Sequence, residues 1–353
     1  MGTMAWSLSE RMAQEMKKIH IVGGGLAGLA LGIALRRREV PVVLHEALSY
    51  PRHRVCGEFI SGVSGETLRK LGIEKFFASM ARPHEVTWHN ATRELGRFTL
   101  PEPAYAISRF SLDQQLCAEL RALDGEVREK SRQSAQAQEG WVWSAGRRPT
   151  LGPWIGLKAH VRGLSLDAGL EMHLGSRGYA GLVEVEDGWI NVCGLFRLDS
   201  ALTAKNEPLL LSYLRREGCE RLVRRLESAT WREGSTSAVA GFRLGWQPAM
   251  PHLMALGDAS SIIPPFTGHG MSMALEGAAV AVEPLISYAT GQSSWHEAQL
   301  MITNAAKRSF DRRLNWAMLS QHLLLAPWFR QPLEILAQQQ LIPFHTLFTL
   351  TRR

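Results

Sequence analysis

Cysteine is scarce in this 353-residue chain, and the four present (Cys56, Cys117, Cys193 and Cys219) lie far apart with no CxxC pair. That argues against a disulfide framework and against a thiol-based zinc module, so no metal site is expected and a reducing, cytoplasmic compartment fits best. Long hydrophobic runs are missing too: no window reaches the ~18 consecutive apolar residues that a membrane span needs. A secretory signal is not expected, because the first 18 residues carry Glu10, Arg11, Glu15, Lys17 and Lys18 and no apolar core. There is no internal repeat and no low-complexity tract. With 45% apolar and 21% charged residues, the composition excludes disorder and leaves room for one large domain or two ordinary ones.

Charge is also unevenly placed. The net formal charge is +7. Residues 301–353 carry seven Lys and Arg against two acids, in a stretch rich in Leu, Phe and Trp. No nucleic-acid module or basic reading face is present. Two readings stay open: contact with an anionic lipid surface or apolar anionic substrate, and a solubilising charge on C-terminal helices.

The glycine pattern carries the first chemistry. Ile19-His20-Ile21-Val22 is an apolar strand, Gly23-Gly24-Gly25-Leu26-Ala27-Gly28 a glycine turn, and Leu29 to Leu35 an apolar helix closed by Arg36-Arg37-Arg38. Val40 to Leu44 is a second strand with Glu46 just past its end. Strand, GxGxxG, helix, strand and acid in this order read as a dinucleotide-binding unit. The glycines let backbone approach a pyrophosphate, and the helix N-terminus supplies N–H donors. Glu46 suits ribose hydroxyls and repels a 2′-phosphate, favouring FAD or NAD over NADP.

Further along, the spacing predicts helices over 5–17, 63–80 and 107–123, and strands over 84–100. Val86, Trp88, Leu95, Phe98 and Leu100 are candidates for the buried face. Residues 124–145 are polar and weakly patterned. From Trp154 the period shifts towards two, with strands around 154–161, 171–174, 180–185 and 189–196 and hairpin breaks at glycines. A helical pattern covers 207–227, and a strand about 239–246. Leu253 to Leu256 leads into Gly257-Asp258-Ala259, then Pro264-Pro265-Phe266-Thr267-Gly268-His269-Gly270 and a helix to about Ala289. Residues 295–350 read as helices broken near Pro327, Pro332 and Pro343.

Taken together, Gly23-x-Gly25-x-x-Gly28…Glu46 and Gly257-Asp258-Ala259…Pro264-Pro265-x-x-Gly268-x-Gly270 resemble the FAD-dependent oxidoreductase superfamily of para-hydroxybenzoate hydroxylase and geranylgeranyl reductase. Arg109, in Ile-Ser-Arg-Phe-Ser-Leu-Asp, adds to the likeness. Cys56-Gly57-Glu58 and the segments 156–160 and 178–181 look closer to the geranylgeranyl reductase branch. The resemblance implies an α/β fold with α+β elements: a Rossmann-like FAD-binding domain interleaved with an antiparallel-sheet substrate domain, and a helical C-terminus. It divides the chain into FAD-binding parts at 1–82, 107–153 and 251–292, substrate-domain parts at 83–106 and 154–250, and C-terminal helices at 293–353.

It also implies roles. Gly23, Gly25, Leu26, Ala27, Gly28, Glu46, Ala47, Arg54 and Arg109 would hold the nucleotide half of FAD. Gly257, Asp258, Pro265, Gly268, Gly270 and Met271 would hold its ribityl and ring half. Cys56 would deliver a proton or orient substrate, or else pack as a small hydrophobe. Glu58 would tune it or contact ligand. His269 would contact substrate or flavin, or else be a solvent-side loop histidine. Three features depart from the family pattern: Ser144-Ala145-Gly146-Arg147-Arg148-Pro149 lacks the usual Asp-Gly acid, the span 113–146 is short, and His269 stands near the place of an acid.

The expected function is an FAD-dependent oxidoreductase acting on an apolar substrate (polyprenyl, lipid-like or polyketide), with NAD(P)H as a transient electron donor. The alternatives are a flavin monooxygenase of an aromatic or polyketide ring, and a non-catalytic binding protein derived from a flavoprotein. The absence of a WxWxIP segment speaks against a halogenase. Peripheral membrane contact through the C-terminal helices is the expected association.

Overall fold

The computed structural model describes residues 16–147, 150–204 and 207–352. The helix expected over 5–17 lies almost wholly outside them, as do Arg148 and Pro149 of the departing motif. Of that helix only Met16 and Lys17 are described, and both are irregular.

The first unit is the one the glycine motif predicts. Strand β1 (Ile19–Val22) runs through the glycine turn into helix α1 (Leu26–Arg36) and returns as β2 (Val42–His45), parallel to β1 with Ile19 opposite Val42. Gly28 is needed for that packing: a Cβ there would sit 2.2 Å from the Gly23 carbonyl oxygen. Every residue of α1 from Leu26 to Leu35 is buried, so this helix is central rather than amphipathic. A small ladder pairs β3 (Phe59–Ile60) with a later strand, and α2 (Gly65–Leu71) follows. The continuous helix expected over 63–80 is interrupted. Gly72 takes a left-handed φ of 68° and closes α2, and only a single-turn helix at Glu74–Phe77 comes after it.

Strands β4 (Glu85–His89), β5 (Glu94–Thr99) and β6 (Tyr105–Ala106) lead to α3 (Arg109–Ala122). The weakly patterned stretch after it contains β7 (Glu126–Arg128) and β8 (Trp141–Trp143). The short span therefore keeps both its sheet strands. β8 lies parallel to β1 with Val22 opposite Trp143, and β7 lies parallel to β2. Where the usual acid is missing, Ser144 closes the turn by donating its hydroxyl to the carbonyls of Val22 (3.1 Å) and Gly23 (2.8 Å).

The larger sheet follows: β9 (Trp154–Arg162), β10 (Leu170–Leu174), β11 (Gly178–Glu184) and β12 (Ile190–Arg197), then helices α4 (Leu209–Arg216) and α5 (Glu220–Glu227). The 207–227 helix is thus two, separated at Gly218 with φ 81°. β13 (Thr230–Trp231) and β14 (Ser237–Phe242) add to β9, and β15 (Gly245–Trp246) precedes β16 (Met254–Ala255) and β17 (Ser261–Ile262). Among the described residues the smaller sheet runs β16-β8-β1-β2-β7, and the larger runs β13-β9-β12-β11-β10-β4-β5 with β14 also on β9. The larger sheet is not wholly antiparallel: β10 and β4 pair in parallel, with His173 opposite His89.

Helix α6 (Gly270–Ala289) packs on α1, and α7 (Trp295–Leu324), α8 (Arg330–Gln338) and α9 (Phe344–Leu350) complete the chain. A capping box at Ser294 and Glu297 starts α7. Pro332 does not break the chain, because it falls in the first turn of α8, where a missing N–H costs nothing. One face of the larger sheet (Ile155, Leu157, Ala159, Val161, Val192) buries against Leu210, Leu214 and Leu222 of α4 and α5. The opposite face looks towards the glycine-turn unit.

Candidate active site

Three chain segments meet at the cleft between the two sheets. The first is the glycine turn. Gly25 starts α1 with no side-chain cap and no acid in the first turn, leaving its N–H groups for an anion. Arg109 Nη2 comes within 3.7 Å of the point where a Gly25 Cβ would stand. Arg54 pairs with Asp113 at 2.9 Å and donates to the Gly24 carbonyl at 3.0 Å. Arg109 grips the other side of Asp113, at 2.7 and 2.8 Å.

Glu46 is buried and engaged. Its Oε1 accepts from Leu48 N (3.0 Å) and Arg52 (2.8 Å), and its Oε2 from Gly24 N (2.9 Å) and Arg54 (3.2 Å). Burial alone would raise its pKa, but Arg54, Arg52 and the two backbone donors outweigh that and lower it. Four donors fill a carboxylate's capacity. Ribose hydroxyls would therefore take the place of Arg52 or Arg54, which are partly exposed, and leave the backbone donors in position. Ala47 lies beside this corner, partly buried.

The second segment is 257–271. Gly257 needs its φ of 60° to make the turn. Asp258 is exposed within the recess and makes no hydrogen bond among the described residues; desolvation by the surrounding protein raises its pKa against the pull of Arg109 and Arg147. Pro265 and Gly270 are exposed as well, while Ile263, Thr267 and Met271 beside them are buried. Helix α6 begins at Gly270 with no side-chain cap and no acid in its first turn. Exposed Gly270, half-buried Gly257 and Gly268 and the unpartnered acid Asp258, flanked by two uncapped helix N-termini, fit a long anionic cofactor such as FAD.

The third segment is 53–58, carried by β3 and braced by the larger sheet. Glu58 is fully buried and adopts φ 54°. It ion-pairs with Lys158, accepts from His160 Nε2 at 2.6 Å and from Arg109 N at 2.8 Å. Burial would raise its pKa; the His160 hydrogen bond and the Lys158 charge lower it overall. Lys158 and His160 are two apart on β9, so both point to the cleft side while Leu157, Ala159 and Val161 point to the helices. Asn191, opposite His160 on β12, donates to the carbonyls of Cys56 (3.0 Å) and Gly57 (2.8 Å). The loop is thereby pinned at both its backbone and its acid.

Cys56 Sγ sits 3.5 Å from Glu58 N and beside Arg109. Burial raises the thiol pKa, so it is protonated at neutral pH and is not a thiolate nucleophile. His53 stacks on Phe110 (4.7 Å) and meets the His160 ring edge-on (4.9 Å). Desolvation, with the Lys158 and His160 charges, pushes its pKa down to about 4. Arg232 lies over both Phe110 and Trp189.

His269 does not join this group as a solvent-side loop residue. It is 1% exposed, its ring packs edge-on against Phe348 of α9 at 5.1 Å, and neither ring nitrogen makes a hydrogen bond. Burial, with the Arg313 and Arg352 charges, pushes its pKa down to about 3. Lys158, His160, Asn191 and His53 were missed in the sequence. The available signal was a lysine and a histidine alternating inside a strand that is otherwise apolar up to its last residue, Arg162.

The fold and the site together define a flavin-binding oxidoreductase scaffold. The profile of the FAD binding domain matches residues 16–148. A menaquinone reductase of Mycobacterium tuberculosis is 27% identical over 321 residues, covering 76% of each chain. Among solved structures, a geranylgeranyl bacteriochlorophyll reductase-like protein from Thermoplasma acidophilum superposes with TM-score 0.72 at 16% identity, covering 95% of this chain and 96% of that one. A p-nitrophenol 4-monooxygenase from Pseudomonas putida gives 0.72 at 14% identity (96% and 99%), and a flavin-dependent brominase 0.74 at 16% (95% and 94%). Residues 16–148 thus carry an FAD binding domain, and the chain as a whole shares the fold of these flavin-dependent reductases and monooxygenases.

Proposed function

We propose that the chain is an FAD-dependent reductase of an apolar, polyprenyl-bearing substrate. The observation that carries this reading is Cys56: a half-buried thiol beside Arg109, on a loop pinned by Asn191 and by the Glu58–Lys158–His160 cluster. Bound FAD would supply the electrons to an alkene or quinone ring, with NAD(P)H as the transient donor. The chain's own residues do the rest. The N-terminus of α1, with Arg54 and Arg109, would hold the pyrophosphate. Asp258 would accept from hydroxyls of the cofactor. The N-terminus of α6 at Gly270 and Met271 would favour negative charge on the bound group. Cys56 holds a proton for the substrate, and Glu58 positions Cys56 without touching substrate itself.

The similarity to a protein described as a menaquinone reductase supports a polyprenyl quinone within this class. No helix among the described residues is long and apolar enough to cross a membrane. The C-terminal segment nevertheless exposes Met318, Leu319, Trp328, Ile335 and Leu347, and its helices also carry the basic residues Lys307, Arg308, Arg312 and Arg330. That pairing supports peripheral contact with an anionic membrane from the cytoplasmic side, where an apolar substrate is concentrated.

The test is anaerobic turnover of a polyprenyl quinone or alkene by FAD-loaded protein. Cys56→Ala is expected to lower the rate about 10²- to 10⁴-fold, the range of a lost acid catalyst, with FAD content unchanged. Full activity in Cys56→Ala removes its role. Turnover that needs oxygen, with none in its absence, replaces the reductase by a monooxygenase.

A further inference from the structure

The last helix is weakly secured for what it covers. α9 has seven residues, none of them buried, and no side-chain cap at its N-terminus. A helix this short is marginal unless tertiary contacts hold it. Before it, Gln340 takes a left-handed φ of 57° and Pro343 closes the connection, which places a hinge at 340–343. Among the described residues one ion pair ties the segment down: Arg352 to Glu102 at 2.8 Å, with Glu102 exposed. Exposed pairs of this kind contribute little. What remains is ring packing, with Phe344 stacked on Phe98 (4.7 Å, 13°) and Phe348 edge-on against His269 (5.1 Å).

Beneath α9 lies the Gly268–Gly270 turn, where α6 begins. His269 is 1% exposed and neither ring nitrogen makes a hydrogen bond. Phe348, the Thr351 carbonyl and the Arg352 charge all face its ring. An imidazole sealed without partners opposes folding, and this seal is made by a half-buried helix. A cavity of about 260 Å³ lies alongside, lined among others by Gly62, Val63, Glu102, Tyr105 and Arg352. A Cβ at Gly62 would stand 3.2 Å from Arg352 Nε and 3.3 Å from His269 Cδ2. Gly62 and Arg352 line the cavity and His269 does not, so these two residues stand between the cavity and the histidine.

We propose that α9 is a lid: it swings about 340–343, and its opening joins the cavity to His269 and the Gly268–Gly270 turn, so that an apolar ring enters where Phe348 stands. The inference rests on the reading of 257–271 as the segment that takes the flavin ring. Phe348 shows that a planar apolar group fits against His269, and Phe344 behind it (6.0 Å) shows that the space continues as an apolar row. A neutral imidazole offers one N–H donor and one acceptor. A carbonyl or hydroxyl on an incoming quinone-like ring would meet them, which a phenylalanine cannot. Closed, the lid keeps water from the same turn.

The test reads the lid without the physiological substrate. A seven-residue helix detached from its neighbours unfolds, so opening registers as amide exchange. In FAD-loaded protein, amides of 344–350 are expected to exchange at least about 10²-fold faster than those of 275–285. Phe344→Ala/Phe348→Ala should raise exchange in 344–350 about 10-fold further and bring the His269 ring signal in NMR into titration near its ordinary value of 6.5. Photoreduced flavin in this variant should be oxidised anaerobically by menadione about 10-fold faster than in wild type, two electrons and two protons passing to the quinone. Glu102→Gln, at an exposed position, should raise the menadione rate about 2- to 5-fold with FAD content unchanged, which keeps the test valid if the double variant folds poorly. Exchange in 344–350 as slow as in α6, or a menadione rate unchanged in both variants, overturns the lid. If the protein retains no FAD, the flavin reading fails instead, and exchange with the His269 signal still decides whether α9 lifts.

Discussion

Removing the charge on Glu58 tests how the cleft is built. Glu58→Gln leaves Lys158 buried without a counter-charge and His160 with a neutral partner, all at 0% side-chain exposure. Breaking one side of a buried ion pair costs about 3–5 kcal/mol. Spread over 353 residues at about 2 cal/mol/K each, that lowers the melting midpoint by about 4–7 °C. The measurement is thermal melting of FAD-free and FAD-loaded protein by circular dichroism. Lys158→Met should cost a similar amount. The double variant should cost less than the two together, by about 1–3 kcal/mol, because it no longer strands a charge. Acid strengthens the test. The Glu58 pKa is lowered in the folded state, so its stabilisation is complete above its ordinary value of 4.5 and is lost as pH falls towards the folded value. Glu46 is lowered likewise. Wild type should therefore lose stability below about pH 4.5, and Glu58→Gln should show a shallower acid slope. A melting midpoint within about 1 °C of wild type, or additivity within about 0.5 kcal/mol in the double variant, would refute the claim that the buried charges depend on one another.

Two further outcomes are expected. Gly24→Ala would place a Cβ 1.7 Å from the Tyr50 hydroxyl, which donates to the Gly24 carbonyl at 2.6 Å; it should destabilise by about 1–3 kcal/mol and reduce FAD retained on gel filtration, and unaltered retention would show that Tyr50 moves freely. His269, held down to about 3 by burial, should give a ring signal in NMR that does not titrate between about pH 5 and 9, whereas a midpoint near its ordinary value of 6.5 would show that the ring reaches water.

The parts of the site that were legible in the sequence are those whose geometry is local. A glycine at positive φ, a strand ending on an acid and an uncapped helix start each involve residues within a few positions of one another. That is why Gly23 to Gly28 and Glu46 could be located from spacing alone, while the Gly257–Gly270 stretch was assigned through family likeness. Glu58 and Cys56 were singled out through family likeness, but their partners were not. Lys158 and His160 lie 100 and 102 positions from Glu58, and no periodicity along the chain connects them. Helix ends were misjudged where one glycine overrode an apolar period, at Gly72 and Gly218.

The sequence by itself determined the dinucleotide unit, the class of cofactor and the alternation that makes β9 two-faced, because backbone conformation and side-chain period are properties of neighbouring residues. Tertiary structure decided what the second face of each strand meets. It set Glu58 against Lys158 and His160, put His269 under α9, and laid His89 against His173 across a parallel pair. Those choices follow from strand order and register. A shift of one position in register would turn Lys158 and His160 away from Glu58 and into the apolar cluster of Leu210, Leu214 and Leu222 on α4 and α5.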